Sequence, residues 1–258
     1  MVQVTNLTKR YGEKTALENV SFSIGAGEVV GLLGLNGAGK TTTMNILTGY
    51  ISATSGTVSI GGYDIASEGS KAKNLIGYMS ELPAFYPELR VDEHLDLICG
   101  LKGVYKDKQS RAKHILEICD RVGIADVKRR MIRNLSKGYK QRVGFAQALI
   151  GDPKVIILDE PTAGLDPSQI VEMRKLVKDS GEERTVIVSS HILYEVQTVC
   201  SRVIVLNEGK LVADDSPENL IGAGMSLEEV FLSMIRGEDN SQFAGHRQET
   251  AEVEDEKK

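Results

Sequence analysis

The chain has 258 residues, of which 41% are hydrophobic and 26% charged, with no Trp and a formal net charge of −5. That length can bury a sizeable core, as one large domain or two small ones. The acidic balance argues against a nucleic-acid binder working through a basic surface. The charge is uneven: 237–258 carry seven acids against three bases, so the rest is nearly neutral. Cys99, Cys119 and Cys200 are scattered with no C-x-x-C, which suits buried thiols in a reducing compartment. No apolar run approaches the roughly 18 residues that span a bilayer. Met1-Val2-Gln3-Val4-Thr5 lacks the basic start and apolar core of a signal peptide. The expectation is a cytoplasmic protein that reaches a membrane only through a partner.

In chain order, Val2 and Val4, then Val20, Phe22 and Ile24, alternate with polar residues and predict strands with one buried face. Val29–Leu33 is a continuous apolar run and reads as a buried strand. Gly34-Leu35-Asn36-Gly37-Ala38-Gly39-Lys40-Thr41-Thr42 follows, and a helix from Thr42 to Thr48 stops at Gly49. Thr57–Ile60 and Ile76–Met79 are further strands. Leu82–Leu89 contains Pro83 and Pro87 and predicts an irregular surface loop. From Val91 to Ile150 the pattern is helical, clearest where Ala112, Ile115, Leu116, Cys119 and Val122 share one face. Strands return at Val155–Leu158, Thr185–Ser189 and Val203–Leu206. Asp166-Pro167 starts a helix, with Asp as N-cap and Pro at the first helical position. Ser226-x-x-Glu229 is a capping box ahead of a stripe formed by Leu227, Val230, Phe231, Met234 and Ile235. The acidic 237–258 tail is expected to be disordered. The alternation predicts an α/β protein with a mostly parallel sheet flanked by helices. Its core spans 1–81 and 151–236, and 82–150 is an inserted helical subdomain.

Two motifs carry chemistry. Gly34 to Thr41 fits G-x-x-x-x-G-K-[ST], the phosphate-binding loop, between the strand and helix that it requires. Glycines let successive N–H groups point inward at phosphates, and the helix N-terminus adds a positive dipole end. Gly34, Asn36, Gly37, Ala38, Gly39, Lys40, Thr41 and Thr42 are the candidate nucleotide-binding residues. Lys40 is placed for the β- and γ-phosphates, and the Thr41 hydroxyl for Mg²⁺. The second motif is Val155-Ile156-Ile157-Leu158-Asp159-Glu160, a buried strand that delivers two carboxylates to its C-terminal end, where ligands bind in open α/β sheets. Asp159 is a candidate Mg²⁺ ligand, directly or through a water, and Glu160 a candidate general base for the attacking water.

With these motifs the chain resembles the nucleotide-binding subunit of an ATP-binding cassette (ABC) transporter, over about residues 2–235. The resemblance implies a P-loop fold with an antiparallel β part beside the main sheet. Asn134-Leu135-Ser136-Lys137-Gly138-Tyr139-Lys140-Gln141-Arg142 is similar to the family signature, usually LSGGQ, with Lys137 where Gly is usual and Tyr139 where Gln is usual. Ser136 is also a good N-cap for a following helix, which by itself offers an anion site. In the family Ser136, Lys137, Gly138 and Tyr139 would meet the γ-phosphate bound by a second, head-to-tail copy. Ala163-Gly164-Leu165-Asp166 resembles the loop that crosses this dimer interface, so Asp166 is both N-cap and interface candidate. His191, in Ser189-Ser190-His191, matches the switch histidine and would bond the γ-phosphate. Tyr11 matches the aromatic that stacks on adenine. The choice of ATP as nucleotide comes from the resemblance alone.

Glu81 departs from the family, which usually carries Gln there. Its carboxylate is a candidate Mg²⁺ ligand and a competitor of Glu160 as base. Glu81, the altered signature and the short Ser226–Ile235 helix together resemble bacterial ATPases that serve a separate ABC-2-type export permease. The permease would dock on about 82–91, where Phe85, Tyr86 and Leu89 are expected to be exposed. The protein would then lie peripherally on the inner face of the cell membrane. The alternatives are an importer ATPase or a soluble ABC ATPase acting on ribosomes or DNA, though nothing basic here suits nucleic acid.

Overall fold

A computed structural model describes residues 1–221 and 227–236. In order the elements are β1 (Val2–Tyr11), β2 (Lys14–Ile24), β3 (Val29–Leu33), α1 (Lys40–Leu47), β4 (Ser55–Ile60), β5 (Tyr63–Asp64), α2 (Gly69–Asn74) and β6 (Ile76–Met79). Three helices follow: α3 (Val91–Lys102), α4 (Lys108–Arg121) and α5 (Lys137–Leu149). The chain then runs through β7 (Val155–Asp159), α6 (Pro167–Gly181), β8 (Thr185–Ser190), α7 (Leu193–Val199), β9 (Arg202–Asn207), β10 (Lys210–Asp215), α8 (Pro217–Ile221) and α9 (Leu227–Arg236).

Two sheets form. One is antiparallel, in the order β2-β1-β4-β5; the other runs β10-β9-β3-β8-β7-β6 and is parallel except for β10. The alternation in β1 and β2 turns Val2, Val4, Leu7, Leu17, Val20 and Phe22 towards the parallel sheet, where they pack with α1 against Val30, Leu32, Ile157 and Ile187. On β7, Val155 and Ile157 join that layer, while Ile156 and Leu158 face the opposite one, with α3, α4, α5 and α6. A strand buried on both faces needs an unbroken apolar run, which is why β7 reads as one. A third cluster unites Leu33, Val196, Val203, Val205, Leu220 and Phe231.

β6 and β7 are parallel neighbours in the sheet although α3, α4 and α5 lie between them in sequence. The helical stretch is thus a long excursion from one sheet edge. Two ion pairs tie it to α6 and the turn after it: Arg142 with Glu172, and Arg121 with Glu183 at 2.8 Å.

Several details differ from the pattern-based reading. In α4 and its C-cap the buried face is Ile115, Ile118, Cys119 and Val122, whereas Ala112 and Leu116 are exposed. The stripe is rotated because Ile118, three residues after Ile115, faces the core in place of Leu116. Phe85 and Leu89 are half-buried, not exposed; Phe85 sets its ring edge-on to the buried His94 at 5.5 Å. Tyr86 is exposed, as is Leu82. α2 and the edge strand β10 have no clear sequence signal: α2 buries only Ala72, and β10 is exposed at Lys210 and half-exposed after it. The three cysteines are buried, and burial pushes the Cys119 thiol up to about 11 and that of Cys200 to about 12. Ser226, the side chains of Leu227, Met234 and Ile235, and the acidic tail lie outside the described residues. Among the described residues no helix is long and apolar enough to cross a membrane.

Gly77 sets how closely the helical excursion can approach the sheet. A Cβ there would sit 2.0 Å from the Ala148 carbonyl oxygen and 2.9 Å from Pro153 Cγ. Gly77→Ala is expected to lower unfolding free energy by about 1–3 kcal/mol, the usual cost of overpacking. Chemical denaturation reads this out; an unchanged midpoint would mean that α5 slides off β6 freely.

Candidate nucleotide-binding and hydrolytic site

Parallel pairing brings the C-terminal ends of β3, β7 and β8 to one edge, so that Leu33 lies beside Ser190 and Asp159 beside Ser189. The segments leaving these strands meet in a cleft of about 390 Å³. Its wall includes Tyr11, Asn36, Gly37, Gly39, Lys40, Thr41, Thr42, Glu81, Glu160 and His191. Most of the predicted site is thereby brought together. Gly34, Ala38 and Asp159 are not on the wall. Ala38 is buried, and its N–H donates to the Leu35 carbonyl at 3.0 Å.

The loop turns at Gly39, whose φ of 108° is left-handed and whose Cβ would strike Leu17 Cδ2 at 2.6 Å. Only glycine meets both demands. α1 starts immediately afterwards. The buried Lys40 ammonium donates to the Gly34 carbonyl at 2.7 Å and lies 3.4 Å from that of Leu35. Burial lowers its pKa, opposed by the charges of Glu160 and Asp159.

Asp159 is buried at the end of β7 and accepts a 2.5 Å hydrogen bond from the Ser189 hydroxyl. That hydroxyl also accepts from the Glu160 N–H at 2.9 Å. Glu160 itself has φ 48°, a left-handed conformation that costs a non-glycine residue on the order of 1 kcal/mol. Ser189 therefore spans both acids and pins the turn that aims Glu160 into the cleft. Glu160 Oε2 lies 2.9 Å from His191 Nδ1, with Glu160 mostly buried and His191 exposed.

Burial raises the Asp159 carboxyl above the ordinary carboxylate range; the Ser189 hydrogen bond opposes this, the Glu81 charge adds to it, and Lys40 opposes it. A carboxylate under that strain, beside a cleft bearing the Thr41 hydroxyl and Glu81, fits a divalent cation. The cation would relieve both the burial penalty and the repulsion between the acids.

The signature residues do not reach this cleft. Ser136 caps α5 through Tyr139 N–H at 3.4 Å, and Tyr139 donates its hydroxyl to Asp126 at 3.0 Å. Gly138 abuts the Gln169 side chain, and the Lys137 side chain lies against Gly164. Asp166 caps α6, accepting from Gln169 N–H at 3.0 Å and the Ser168 hydroxyl at 2.7 Å; the Ser168 and Gln169 bonds lower its pKa. The starts of α5 and α6 thus form one contiguous patch.

No sequence motif marks Ser189 as an actor or points to Lys14, which lines the cleft across the hairpin from Tyr11. The two-residue Gly12-Glu13 turn was the available signal, since it places Tyr11 opposite Lys14. Lys9 Nζ lies 5.0 Å from the Tyr11 ring centroid.

Known proteins resemble this chain in sequence and fold. A family model described as ABC transporter matches residues 17–163. The chain is 38% identical over 216 residues to the bacitracin transport ATP-binding protein BcrA of Bacillus licheniformis, covering 83% of this chain and 69% of that one. It is 37% identical over 239 residues to the lantibiotic transport ATP-binding protein SrtF of Streptococcus pyogenes, covering 91% and 97%. Among solved structures it is similar to the dimeric post-hydrolysis state of the ATP-binding cassette MJ0796 bound to ADP and Pi, with TM-score 0.76 and 29% identity over 84% of this chain and 98% of that one.

Ser189→Ala removes the bond to Asp159 and the support of the Glu160 turn together. Steady-state kinetics should show kcat for ATP hydrolysis reduced about tenfold, equivalent to about 1.4 kcal/mol, with KM changed by less than about twofold. A wild-type kcat would exclude Ser189 as the element that positions these acids.

Proposed function

The chain belongs to the ABC transporter family as an ATP-binding, ATP-hydrolysing subunit, and on that premise we propose that it works as half of a head-to-tail dimer, closing around two ATP molecules to drive export through a separate membrane permease. The observation that carries this reading is the composition of the cleft. Phosphate loop, Glu160 and His191 share one wall, while the Ser136 end of α5 lies on a different part of the same chain. A second copy would supply that end.

Within the cleft, Tyr11 stacks on the adenine, Lys40 exchanges the Gly34 carbonyl for phosphate oxygens, and successive loop N–H groups hold the rest of the triphosphate. Thr41, Asp159 and Glu81 are the residues that would hold Mg²⁺, which supplies charge neutralisation at the phosphates when bound. Glu160 accepts the proton of the attacking water. His191 fixes the Glu160 carboxylate through Nδ1 and leaves its other ring nitrogen for the γ-phosphate. The expected balance of charge suits phosphoryl transfer, where positioning and electrostatics dominate. From the partner protomer, Ser136, Lys137 and Gly138 complete the phosphate shell, and Asp166 borders the interface.

Glu81 opens the 82–91 segment, whose Phe85 ring lies on His94; His94 in turn lies 2.9 Å from the Gln147 side-chain oxygen in α5. Movement at Glu81 is thereby passed to α3 and α5, and residues 82–150 move as the part that carries the permease. Leu82 and Tyr86, exposed at 82% and 56%, are the docking side chains. Export is preferred to import because Glu81 and the Ser136–Tyr139 signature resemble an exporter subfamily, and because the relatives above are bacitracin and lantibiotic transport proteins.

Glu160→Gln is expected to bind ATP normally, lose hydrolysis by about 100-fold or more, and accumulate as an ATP-bound dimer in size-exclusion chromatography. Retained turnover would move the base elsewhere, to Glu81 first. Leu82→Ala combined with Tyr86→Ala should weaken co-purification with the permease from detergent extracts by about tenfold. Undiminished capture would place docking on another surface.

A further inference from the structure

His191 sits between Ser190 and Ile192, and both neighbours are tied to a buried acid that no step above uses. Glu195, in the first turn of α7, is 6% exposed. Its Oε2 accepts from the Thr162 hydroxyl at 2.6 Å and from the Ser190 hydroxyl at 3.1 Å. Ser190 Oγ accepts in turn from the Ile192 N–H at 3.0 Å. One carboxylate oxygen therefore clamps both sides of His191 and also holds Thr162, two residues beyond Glu160. The other oxygen, Oε1, makes no hydrogen bond among the described residues and faces Arg174 Nη2 at 3.8 Å. Arg174 is itself turned over the Tyr194 ring, with its guanidinium carbon 4.9 Å from the centroid.

A buried carboxylate is costly unless it is well paired. Here the nearest cation stands off, and the short bonds come from the two hydroxyls. The acid is thus committed to joining two loops more than to neutralising a charge. A cavity of about 20 Å³ beside Thr162, Arg174 and Glu195 leaves room for one water at the unpaired oxygen.

We infer that Glu195 is a positioning residue for hydrolysis: it locks the loop that carries His191 to the loop that leaves Glu160, and so sets the 2.9 Å separation between them. The inference rests on the reading of Glu160 and His191 as the hydrolytic pair. Glu195 touches neither the nucleotide nor the attacking water. Removing it leaves the phosphate loop intact and frees His191 to drift from Glu160.

The test is a double-mutant cycle on the full chain, with ATP hydrolysis at saturating nucleotide, binding of a fluorescent ATP analogue, and the melting temperature as readouts. Glu195→Ala and Thr162→Val should each lower kcat about tenfold while the nucleotide Kd changes by less than about twofold. Glu195→Gln, which keeps a carbonyl oxygen for both hydroxyls, should retain most of the rate. In a His191→Ala background the Glu195→Ala loss should vanish, because the two changes break one mechanism. Additive losses in the two backgrounds would overturn the proposal, as would a wild-type kcat in Glu195→Ala or Thr162→Val. If Glu195→Ala fails to fold, Thr162→Val carries the same cycle. A His191→Ala protein with full activity would instead overturn the hydrolytic pair itself, and the proposal with it.

Discussion

The bond between the Ser189 hydroxyl and the Asp159 carboxylate is the constraint on which the rest of the site depends. It exists because β7 and β8 run parallel in a register that places the two residues side by side. Burial alone would favour a neutral Asp159, which would be useless for holding a cation. The Ser189 hydroxyl and Lys40 oppose that drift. The same serine oxygen takes the Glu160 N–H, so the backbone turn behind the second acid is built on the side chain that steadies the first. One buried hydroxyl thus couples the charge state of one carboxylate to the direction of the other.

Around that point the chain divides into a frame and the parts attached to it. The frame is the pair of sheets with α1 between them, cross-linked by the turn at Gly209, whose carbonyl accepts from Glu18 N–H and whose N–H donates to the Ala38 carbonyl. The phosphate loop is therefore held from the antiparallel sheet as well as from β3. The α5 and α6 N-termini form a second body: Lys137 rests on Gly164 and Gly138 on Gln169. The Lys137 departure from the family pattern fills space over Gly164, in addition to bringing charge to the helix start.

Much of this was legible in the sequence because the strands are buried on both faces. Val155-Ile156-Ile157-Leu158 has no alternative home to a sheet interior, and its acids then fall at the ligand edge. The phosphate loop was legible for a similar reason, since strand, glycines and helix each constrain the others. What was not legible depends on register or on three-dimensional neighbours. Ser189 looks like an ordinary strand end until β8 is set beside β7. Glu195 looks like a surface acid in Leu193–Val199 until Thr162 and Ser190 arrive from other elements. In α4 the sequence places Ile115, Cys119 and Val122 on the buried face but not Ile118, because Leu116 and Ile118 are equally apolar and only packing decides between them. Phe85 reads as a docking side chain in the sequence because a proline-containing loop gives no sign of the buried His94 beneath it.

The two ion pairs that bridge the helical excursion to the rest, Arg142 with Glu172 and Arg121 with Glu183, have glutamates that are more than half exposed. Each is therefore worth at most about 1 kcal/mol and is screened within about 10 Å at moderate ionic strength. The apolar contact beneath them carries no charge for dissolved ions to screen. Burial therefore keeps the helical part on the sheet at ionic strengths that screen the ion pairs along its edge.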